Sequence, residues 1–222
     1  AADHTQAMLD WWAATGVDRV DLAVRRAAGA MLWQRDCVIA ALPLAWARAE
    51  NAQHADIYAR PARGRSWPLI VIDDVAVARA DAVAREVDVL LVETSAQGGC
   101  HVWLRCDRVL AEDERMHVQR TWVRTVDGDP GSISGEHLGR LAGFKNWKRG
   151  GGWVNTRPTV CGRPCLVIDD GLLIPPLSPA DPTRPPGRDR RRDTTPSGYD
   201  WAWVCTRLEH GLPPETIYAQ LV

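Results

Sequence analysis

The chain has 222 residues, with 27 Lys or Arg against 28 Asp or Glu, and a formal net charge of −1. Its 45% hydrophobic and 25% charged residues are ordinary for a globular protein and exclude collagen-like, coiled-coil and wholly disordered chains. The longest uncharged apolar stretch, residues 38–47, is far shorter than the roughly 20 residues that cross a bilayer. No signal-peptide pattern begins at Ala1. We therefore predict a soluble, cytoplasmic protein with no membrane partner, in which any nucleic-acid binding comes from a local patch.

The first third of the chain predicts alternating helices and strands. Residues 4–14 indicate a helix, and residues 20–26 alternate apolar and polar side chains, which is typical of a half-buried strand. A returning strand is expected over 30–34 and a further strand over 57–60. Between them, residues 38–50 predict a helix with a kink at Pro43.

The next hundred residues continue the pattern. Residues 69–74 form a nearly continuous β-branched run, typical of a strand buried on both faces. Strands are also expected over 89–94 and 100–106, joined by a hairpin connection at 95–99. Helices are predicted over 77–87 and 111–126, with a short one near Glu136. The sequence predicts an α+β domain over 1–177, with a mostly antiparallel sheet and helices on one side.

The C-terminal residues differ in composition. Residues 178–198 carry five Pro and five Arg and no apolar residue larger than Ala or Pro, which predicts an extended linker. It is either a solvated tether or a basic arm that touches phosphates. Residues 199–222 indicate two short helices, too few to bury a core alone, so we expect them either to dock on the domain or to continue in a longer natural chain.

Two adjacent carboxylates, Asp73 and Asp74, end the apolar strand. Both can stay ionised in a partly buried site if a cation lies between them, and Mg²⁺ typically uses one or two carboxylates together with substrate phosphates. The alternative is a simple turn that ends the strand. Because successive strand residues point to opposite faces, a shared metal site requires a bend or bulge at Asp74.

Two further polar residues are candidates for the same site. His101 begins a strand after a Gly-Gly turn, where it faces a ligand or is a hydrogen-bonded structural residue. Asp129 precedes Pro130, which favours extended backbone geometry and places the carboxylate on a loop. Without further information, a turn-forming role for Asp129 is the simpler interpretation.

A basic and aromatic segment extends over residues 140–157. It has five basic residues, no acidic ones, and Phe144, Trp147 and Trp153 between them. Such a pattern favours single-stranded nucleic acid or a nucleotide, because bases stack on aromatic rings and phosphates bind cations. The alternative is a Gly-rich loop whose indoles pack inward.

Together these features resemble the RepB-type primases of plasmids and phages, in the archaeo-eukaryotic primase superfamily. The resemblance rests on five stretches: VDLAVR at 20–25, IYARPA at 57–62, IVIDD at 70–74, VETS at 92–95 with HVW at 101–103, and DGDPGS at 127–132 with HLGRLAGFKN at 137–146. The last stretch is the most specific. More weakly, residues 199–217 resemble the start of the small helical domain that follows many such primase domains, so the resemblance implies that 199–222 begins such a domain. The superfamily's usual acidic motif has a residue between its aspartates, whereas here they are adjacent, as in the RepB-type branch.

The resemblance implies an RRM-like catalytic core that builds short primers on single-stranded DNA from nucleoside triphosphates. It implies two Mg²⁺ or Mn²⁺ ions held by Asp73, Asp74 and Asp129, with a replicative helicase as a possible partner. The implied nucleotide-binding residues are His101, Arg140, Lys145 and Asn146. The implied DNA-binding residues are Arg60, Arg63, Trp147, Lys148 and Arg149.

Two other classes of protein compete with this interpretation. A non-catalytic replication-origin module would use the basic segment but would not need three convergent carboxylates. A strand-nicking nuclease would need a His-hydrophobe-His pair and a nearby Tyr nucleophile. Here Trp103 replaces the second His, and Tyr199 lies next to the predicted linker.

Overall fold

The computed structural model describes residues 3–94, 99–157 and 163–168. The predicted linker at 178–198, the helical segment at 199–222 and residues 95–98 of the hairpin connection lie outside the described residues. The division of the chain into domains stays a prediction.

Most predicted elements are present, several of them longer than expected. The main helices are α1 (His4–Ala14), α2 (Leu44–Ala52), α3 (Val77–Glu86) and α4 (Glu112–Val126). The long strands are β1 (Arg19–Arg25), β2 (Met31–Val38), β3 (Asp56–Pro61), β4 (Trp67–Ala76), β5 (Val89–Glu93) and β6 (Gly99–Leu110). Four short strands follow: β7 (Gly139–Arg140), β8 (Lys145–Asn146), β9 (Gly152–Trp153) and β10 (Asn155–Arg157).

Two local predictions were wrong. The helix predicted over 38–50 begins only at Leu44, directly after Pro43, while Val38 ends β2 and Ile39–Ala41 form a short 3₁₀ helix. Proline is tolerated at the start of a helix but not inside it, so Pro43 marks a boundary and not a kink. Residues near Glu136 form no helix but an irregular loop, in which Glu136 accepts a hydrogen bond from the Gly64 N–H.

The strands form two four-stranded sheets, with orders β2-β1-β3-β7 and β10-β5-β6-β4, and β8 pairs with β9 in a two-stranded sheet. All pairs between these strands are antiparallel. The predicted α+β class with a mostly antiparallel arrangement is confirmed. The expectation of one sheet with helices on one side was wrong, because the long strands divide between two sheets and helices contribute to the cores on both faces of β4.

Alternation along β4 produces two hydrophobic cores. Leu69 and Val71 pack with α1, β1 and β3, whereas Ile70 and Ile72 pack with α3 and α4. Strand residues two apart share a face, so Asp73 is expected on the face of Leu69 and Val71. This face is covered by the first sheet, and it is where the polar residues at the end of β4 collect.

Within the described residues, no helix is both long and apolar enough to cross a membrane.

Candidate functional site

A β-bulge lies at the two adjacent aspartates. Ile72 pairs with Val102 and Val75 with Cys100, so that Asp73 and Asp74 together oppose His101 alone. Asp74 has a φ of +54°, in the left-handed region that non-glycine residues adopt less often. A bulge of this kind changes the direction of a side chain. The bend expected at Asp74 is therefore confirmed, and both carboxylates line the same cavity.

His101 connects Asp73 to β7. Its Nε2 lies 2.7 Å from Oδ1 of Asp73, and its Nδ1 accepts a hydrogen bond of 3.0 Å from the backbone N–H of Arg140. An Nδ1 that accepts carries no proton, so the proton lies on Nε2 and is donated to Asp73. The His101 side chain is only 4% exposed. Its geometry fits a residue that orients Asp73.

His137 is a second imidazole at Asp73, to which the sequence analysis assigned no role. Its Nε2 lies 3.5 Å from Oδ2 of Asp73. Burial raises the pKa of the Asp73 carboxyl, but the hydrogen bonds and electrostatic interactions with the imidazoles of His101 and His137 outweigh burial and hold that pKa well below its usual range. His137 lies within a motif that was quoted for the resemblance, but only the fold brings it to β4.

The loop after α4 places Asp129 beside the bulge. The Asp129 N–H donates a hydrogen bond of 2.8 Å to the backbone carbonyl of Asp73, and its Oδ1 accepts one of 2.9 Å from the Gly131 N–H. Gly128 packs so closely that a β-carbon there would clash with the Cγ2 methyl of Ile72. The third carboxylate thus belongs to a loop that is fixed against the other two.

These residues surround a cavity of about 320 Å³. It brings together eight of the twelve predicted site residues: Asp73, Asp74, His101, Asp129, Arg140, Asn146, Lys148 and Arg149. His137, Arg25, Tyr58 and Thr94 line it as well, and the sequence analysis had given them no role. The other four predicted site residues, Arg60, Arg63, Lys145 and Trp147, do not line it.

The carboxylate oxygens suit a hard divalent cation chemically. However, in residues 3–94, 99–157 and 163–168 no three His, Cys, Asp or Glu side chains are grouped closely enough to form a ready metal site. Asp73 contacts two imidazoles and Asp129 contacts the Gly131 N–H. The donors fit the metal, but at least one carboxylate would have to turn toward it.

Arg140 and Asn146 are buried in the wall of the cavity. Arg140 Nη1 lies 3.0 Å from Asp56 Oδ1, and its guanidinium stacks 4.8 Å from the centre of the Tyr58 ring. Asn146 donates a hydrogen bond to the Thr94 carbonyl, and its buried Oδ1 has no protein partner. That oxygen is an acceptor left for a donor from elsewhere.

Lys148 and Arg149 are exposed at the cavity, whereas Trp147 is half-buried beside it. The Trp147 indole N–H donates to the Asn51 carbonyl at 2.7 Å. Lys145 lies with its Nζ 5.1 Å from the centre of the Trp147 ring and 5.7 Å from that of Trp153. Basic and aromatic groups thus alternate along this segment, as the sequence indicated.

The two predicted DNA-binding arginines in and after β3, Arg60 and Arg63, do not line the cavity. Arg60 is buried, donating two hydrogen bonds to Asp21 and one to the Glu136 carbonyl. Arg63 is 65% exposed, with its Nε 2.7 Å from Glu136 Oε2. Arg60 therefore has the contacts of a structural residue, while Arg63 keeps an accessible guanidinium.

The fold is that of the archaeo-eukaryotic primases. The structure matches the AEP domain of the cyanophage S-2L primase-polymerase with a TM-score of 0.58, over 72% of this chain and 91% of that one. At 10% sequence identity this likeness shows the fold alone.

Comparison of the amino-acid sequence assigns the chain to a narrower group than the fold does. Residues 10–158 match the RepB DNA-primase N-terminal domain, and the chain belongs to that family. The predicted resemblance is thereby confirmed. The chain is also 32% identical over 176 residues to Mobilization protein A of Escherichia coli, covering 72% of this chain but only 25% of that protein.

Two solved structures agree with this assignment. The catalytic domain of primase RepB′ in complex with initiator DNA is 32% identical, with a TM-score of 0.65 over 74% of this chain and 88% of that one. A further structure of primase RepB′ is 31% identical, again with a TM-score of 0.65, over 73% of this chain and 58% of that one. The sequence comparison and the structural comparison therefore agree on the family and on the fold.

Proposed function

We propose that this chain is a nucleotidyltransferase that synthesises short primers on single-stranded DNA from nucleoside triphosphates, to initiate plasmid or phage replication. The observation that carries the proposal is the bulge at Asp73 and Asp74, onto which the Asp129 loop is hydrogen-bonded, so that three carboxylates line one cavity. Lys148 and Arg149 line the same cavity. Carboxylates for cations and cations for phosphates are the combination that phosphoryl-type transfer requires.

Asp73, Asp74 and Asp129 would hold two Mg²⁺ or Mn²⁺ ions in this proposal. Bound there, the ions supply activation of the attacking hydroxyl and neutralisation of the leaving pyrophosphate. The protein itself contributes by positioning the attacking hydroxyl and the triphosphate, and positioning with charge stabilisation accounts for most of the catalysis of phosphoryl transfer.

The imidazoles of His101 and His137 both contact the Asp73 carboxylate. His101 fixes one carboxylate oxygen through Nε2–H, while its Nδ1 is held by the Arg140 N–H. Because the pKa of Asp73 lies well below its usual range, the carboxyl stays ionised at neutral pH. An ionised and oriented carboxylate is what a metal ligand needs.

Contacts with the nucleotide and the template are assigned to the basic and polar side chains that line the same cavity. We assign phosphate binding to Lys148 and Arg149, and a further nucleotide contact to Asn146, which lines the same cavity. Arg140 also lines the cavity, and its ion pair with Asp56 fixes its side chain there.

The DNA-binding proposal extends outward from the cavity. Lys145 and Trp147 offer a cation and an indole face along the path of a single strand. Arg63, which is exposed, is retained as a DNA contact, whereas Arg60 is proposed to hold Asp21 and the Glu136 loop in place. The DNA complex of primase RepB′ supports binding of DNA by this chain.

Nucleoside triphosphates, a replicative helicase and a cytoplasmic location complete the proposal. The nucleoside triphosphates follow from the proposed reaction, which joins nucleotides on a template. The helicase and the location are proposed from membership in a family of DNA primases. Because the chain spans about a quarter of the length of Mobilization protein A, its activity and partners are proposed for this chain alone.

A non-catalytic origin-binding module is the second candidate. It is favoured by the absence of a ready three-residue metal cluster among the described ranges. Such a module would use the basic wall and leave the three carboxylates without a function.

A primer-synthesis assay separates the two candidates. The chain is incubated with single-stranded template, mixed nucleotides and Mg²⁺ or Mn²⁺, beside Asp73→Ala/Asp74→Ala. Short products that vanish in the double variant support the primase. No products despite tight strand binding, together with no rise in Tm on adding Mg²⁺ or Mn²⁺, would favour the origin-binding module.

A further inference from the structure

A second cavity, of about 360 Å³, lies beside the first and meets it at Arg25 and Lys148, which line both. Its other lining residues are Arg26, Ala27, His54, Asp56 and Trp147. It contains none of the three candidate metal ligands. Because two side chains are shared, a molecule in one cavity would be the immediate neighbour of a molecule in the other.

The second cavity has an aromatic wall. The centres of the His54 and Trp147 rings are 4.1 Å apart, with planes tilted by 48°. His54 is exposed, and its φ of +67° places it in the left-handed region. The indole of Trp147 is fixed, since its Nε1–H donates to the Asn51 carbonyl and its backbone N–H to Asp56 Oδ1. A flat ring can therefore stack here on groups that are already in position.

The charges leave two cations available. Arg26 is paired with Glu50, and Asp56 is neutralised by Arg140 and by the N–H groups of Trp147 and Lys148. Arg25 and Lys148 form no ion pair with a carboxylate within the described part of the chain. The two unpaired cations are thus the same two residues at which the cavities meet.

We propose that the second cavity binds a nucleotide unit, with its base against His54 and Trp147 and its phosphate between Arg25 and Lys148. The inference rests on the proposed function, for joining two nucleotides requires that both be held side by side. The shared chemistry, a base with a phosphate, has two sources: a free nucleoside triphosphate or a nucleotide of a DNA strand.

Three variants of the full chain test the aromatic wall. Trp147→Leu removes the ring, and Trp147→Phe keeps a ring but loses the N–H that bonds Asn51. His54→Asn removes the imidazole with a residue that tolerates the left-handed region. Stacking of one base contributes enough that we expect Trp147→Leu to weaken binding by roughly five-fold to 150-fold, with Trp147→Phe close to wild type. Tm is measured for each variant, so that loss of folding is recognised.

Calorimetric titration with dATP and anisotropy with a labelled oligodeoxythymidylate distinguish the two sources. If the occupant is a free nucleotide, the wild type binds two dATP per chain and Trp147→Leu binds one. If it is part of a strand, all variants bind one dATP, and the oligonucleotide affinity falls in Trp147→Leu and His54→Asn but not in Trp147→Phe.

The proposal is overturned if folded Trp147→Leu and His54→Asn bind dATP and the oligonucleotide as the wild type does. It is also overturned if Trp147→Phe loses as much affinity as Trp147→Leu, because the Asn51 hydrogen bond would then explain the effect. These are binding measurements, so they stand apart from the primer-synthesis assay. The dATP counts include one nucleotide in the main cavity, as the proposed function requires. If no primers form and no dATP binds there, but the oligonucleotide affinity still falls in Trp147→Leu and His54→Asn, the proposed function fails while the second cavity keeps its role.

Discussion

The two walls of the main cavity are built in different ways. The acidic wall, with Asp73 and Asp129, is tied together by backbone and side-chain hydrogen bonds between β4, β6, β7 and the loop after α4. The basic wall, with Lys148 and Arg149, comes from a short 3₁₀ helix and ends in exposed side chains. Metal coordination tolerates little displacement, whereas phosphate binding by flexible cations does not need a fixed geometry. In the proposed function, the fixed acidic wall holds the metal ions and the exposed basic wall adapts to the bound strand.

Asp73→Asn should have the largest effect. Losing a partner behind a metal ligand costs about 10–100-fold in metal affinity or activity, and losing a ligand is expected to cost more. Asn can still accept the hydrogen bond from His101, so Tm should hold. Primer synthesis is measured beside Asp18→Asn, an exposed carboxylate outside the cavity. Equal activity in the two variants would remove the acidic wall from the mechanism.

Gly128→Ala tests whether the acidic wall depends on close packing. The new methyl meets Ile72 beside the bulge, and overpacking of this kind typically costs about 1–3 kcal/mol. We expect a lower Tm together with reduced primer synthesis, because Asp129 moves with its neighbour. Gly152→Ala is the control, since a β-carbon at Gly152 has no neighbour within 4 Å. A Gly128→Ala protein with normal Tm and activity would contradict the packing argument.

Substitutions of His101 can test its contact with Asp73 and its hydrogen bond with the Arg140 N–H separately. Gln places its amide near the position of Nε2 and can still donate to Asp73, whereas Asn reaches only the position of Nδ1 and keeps the Arg140 N–H. We expect His101→Asn to raise the Mg²⁺ concentration needed for half-maximal synthesis by about 10–100-fold, and His101→Gln by less. His117→Gln, exposed on α4, is the control. The reverse order of Gln and Asn would show that the contact with β7 matters more than the contact with Asp73.

Lys148→Gln should have the smallest effect, on the basic wall. Each phosphate contact on a single strand contributes about 0.7 to the slope of log K against log salt concentration. Removing one cation should lower that slope by about this amount and weaken binding of every sequence alike. Arg85→Gln, exposed on α3, should leave the slope unchanged. An unchanged slope in Lys148→Gln would remove this residue from the strand path.

Local sequence patterns were sufficient to predict a structural feature when that feature depends on only a few neighbouring residues. The β-branched run before Asp73 predicted a buried strand, and the adjacency of Asp73 and Asp74 required the bulge that β4 contains. The prediction failed at Pro43, since local composition cannot show whether proline kinks a helix or precedes it.

Contacts between distant segments needed the fold. Nothing in the spacing of His137 indicates that it reaches Asp73, because the contact depends on the pairing of β3 with β7. Arg60 resembled Arg63 in sequence, but only the structure shows that one is buried against Asp21 and the other is exposed. The second sheet was missed for the same reason, since strand order is not a local property.

By itself the sequence determined most of the long strands and helices, the acidic pair with Asp129 as candidates, the basic and aromatic segment, and the family to which the chain belongs. These follow from periodicity, composition and short motifs, each of which is a local property of the chain. Only the tertiary structure decided that two imidazoles contact Asp73, that Asn146 keeps an unpartnered oxygen, and that a second cavity shares Arg25 and Lys148 with the first. The physical reason is that hydrogen bonding, burial and electrostatic shifts depend on distances between side chains, and folding sets those distances through pairings of residues far apart in sequence.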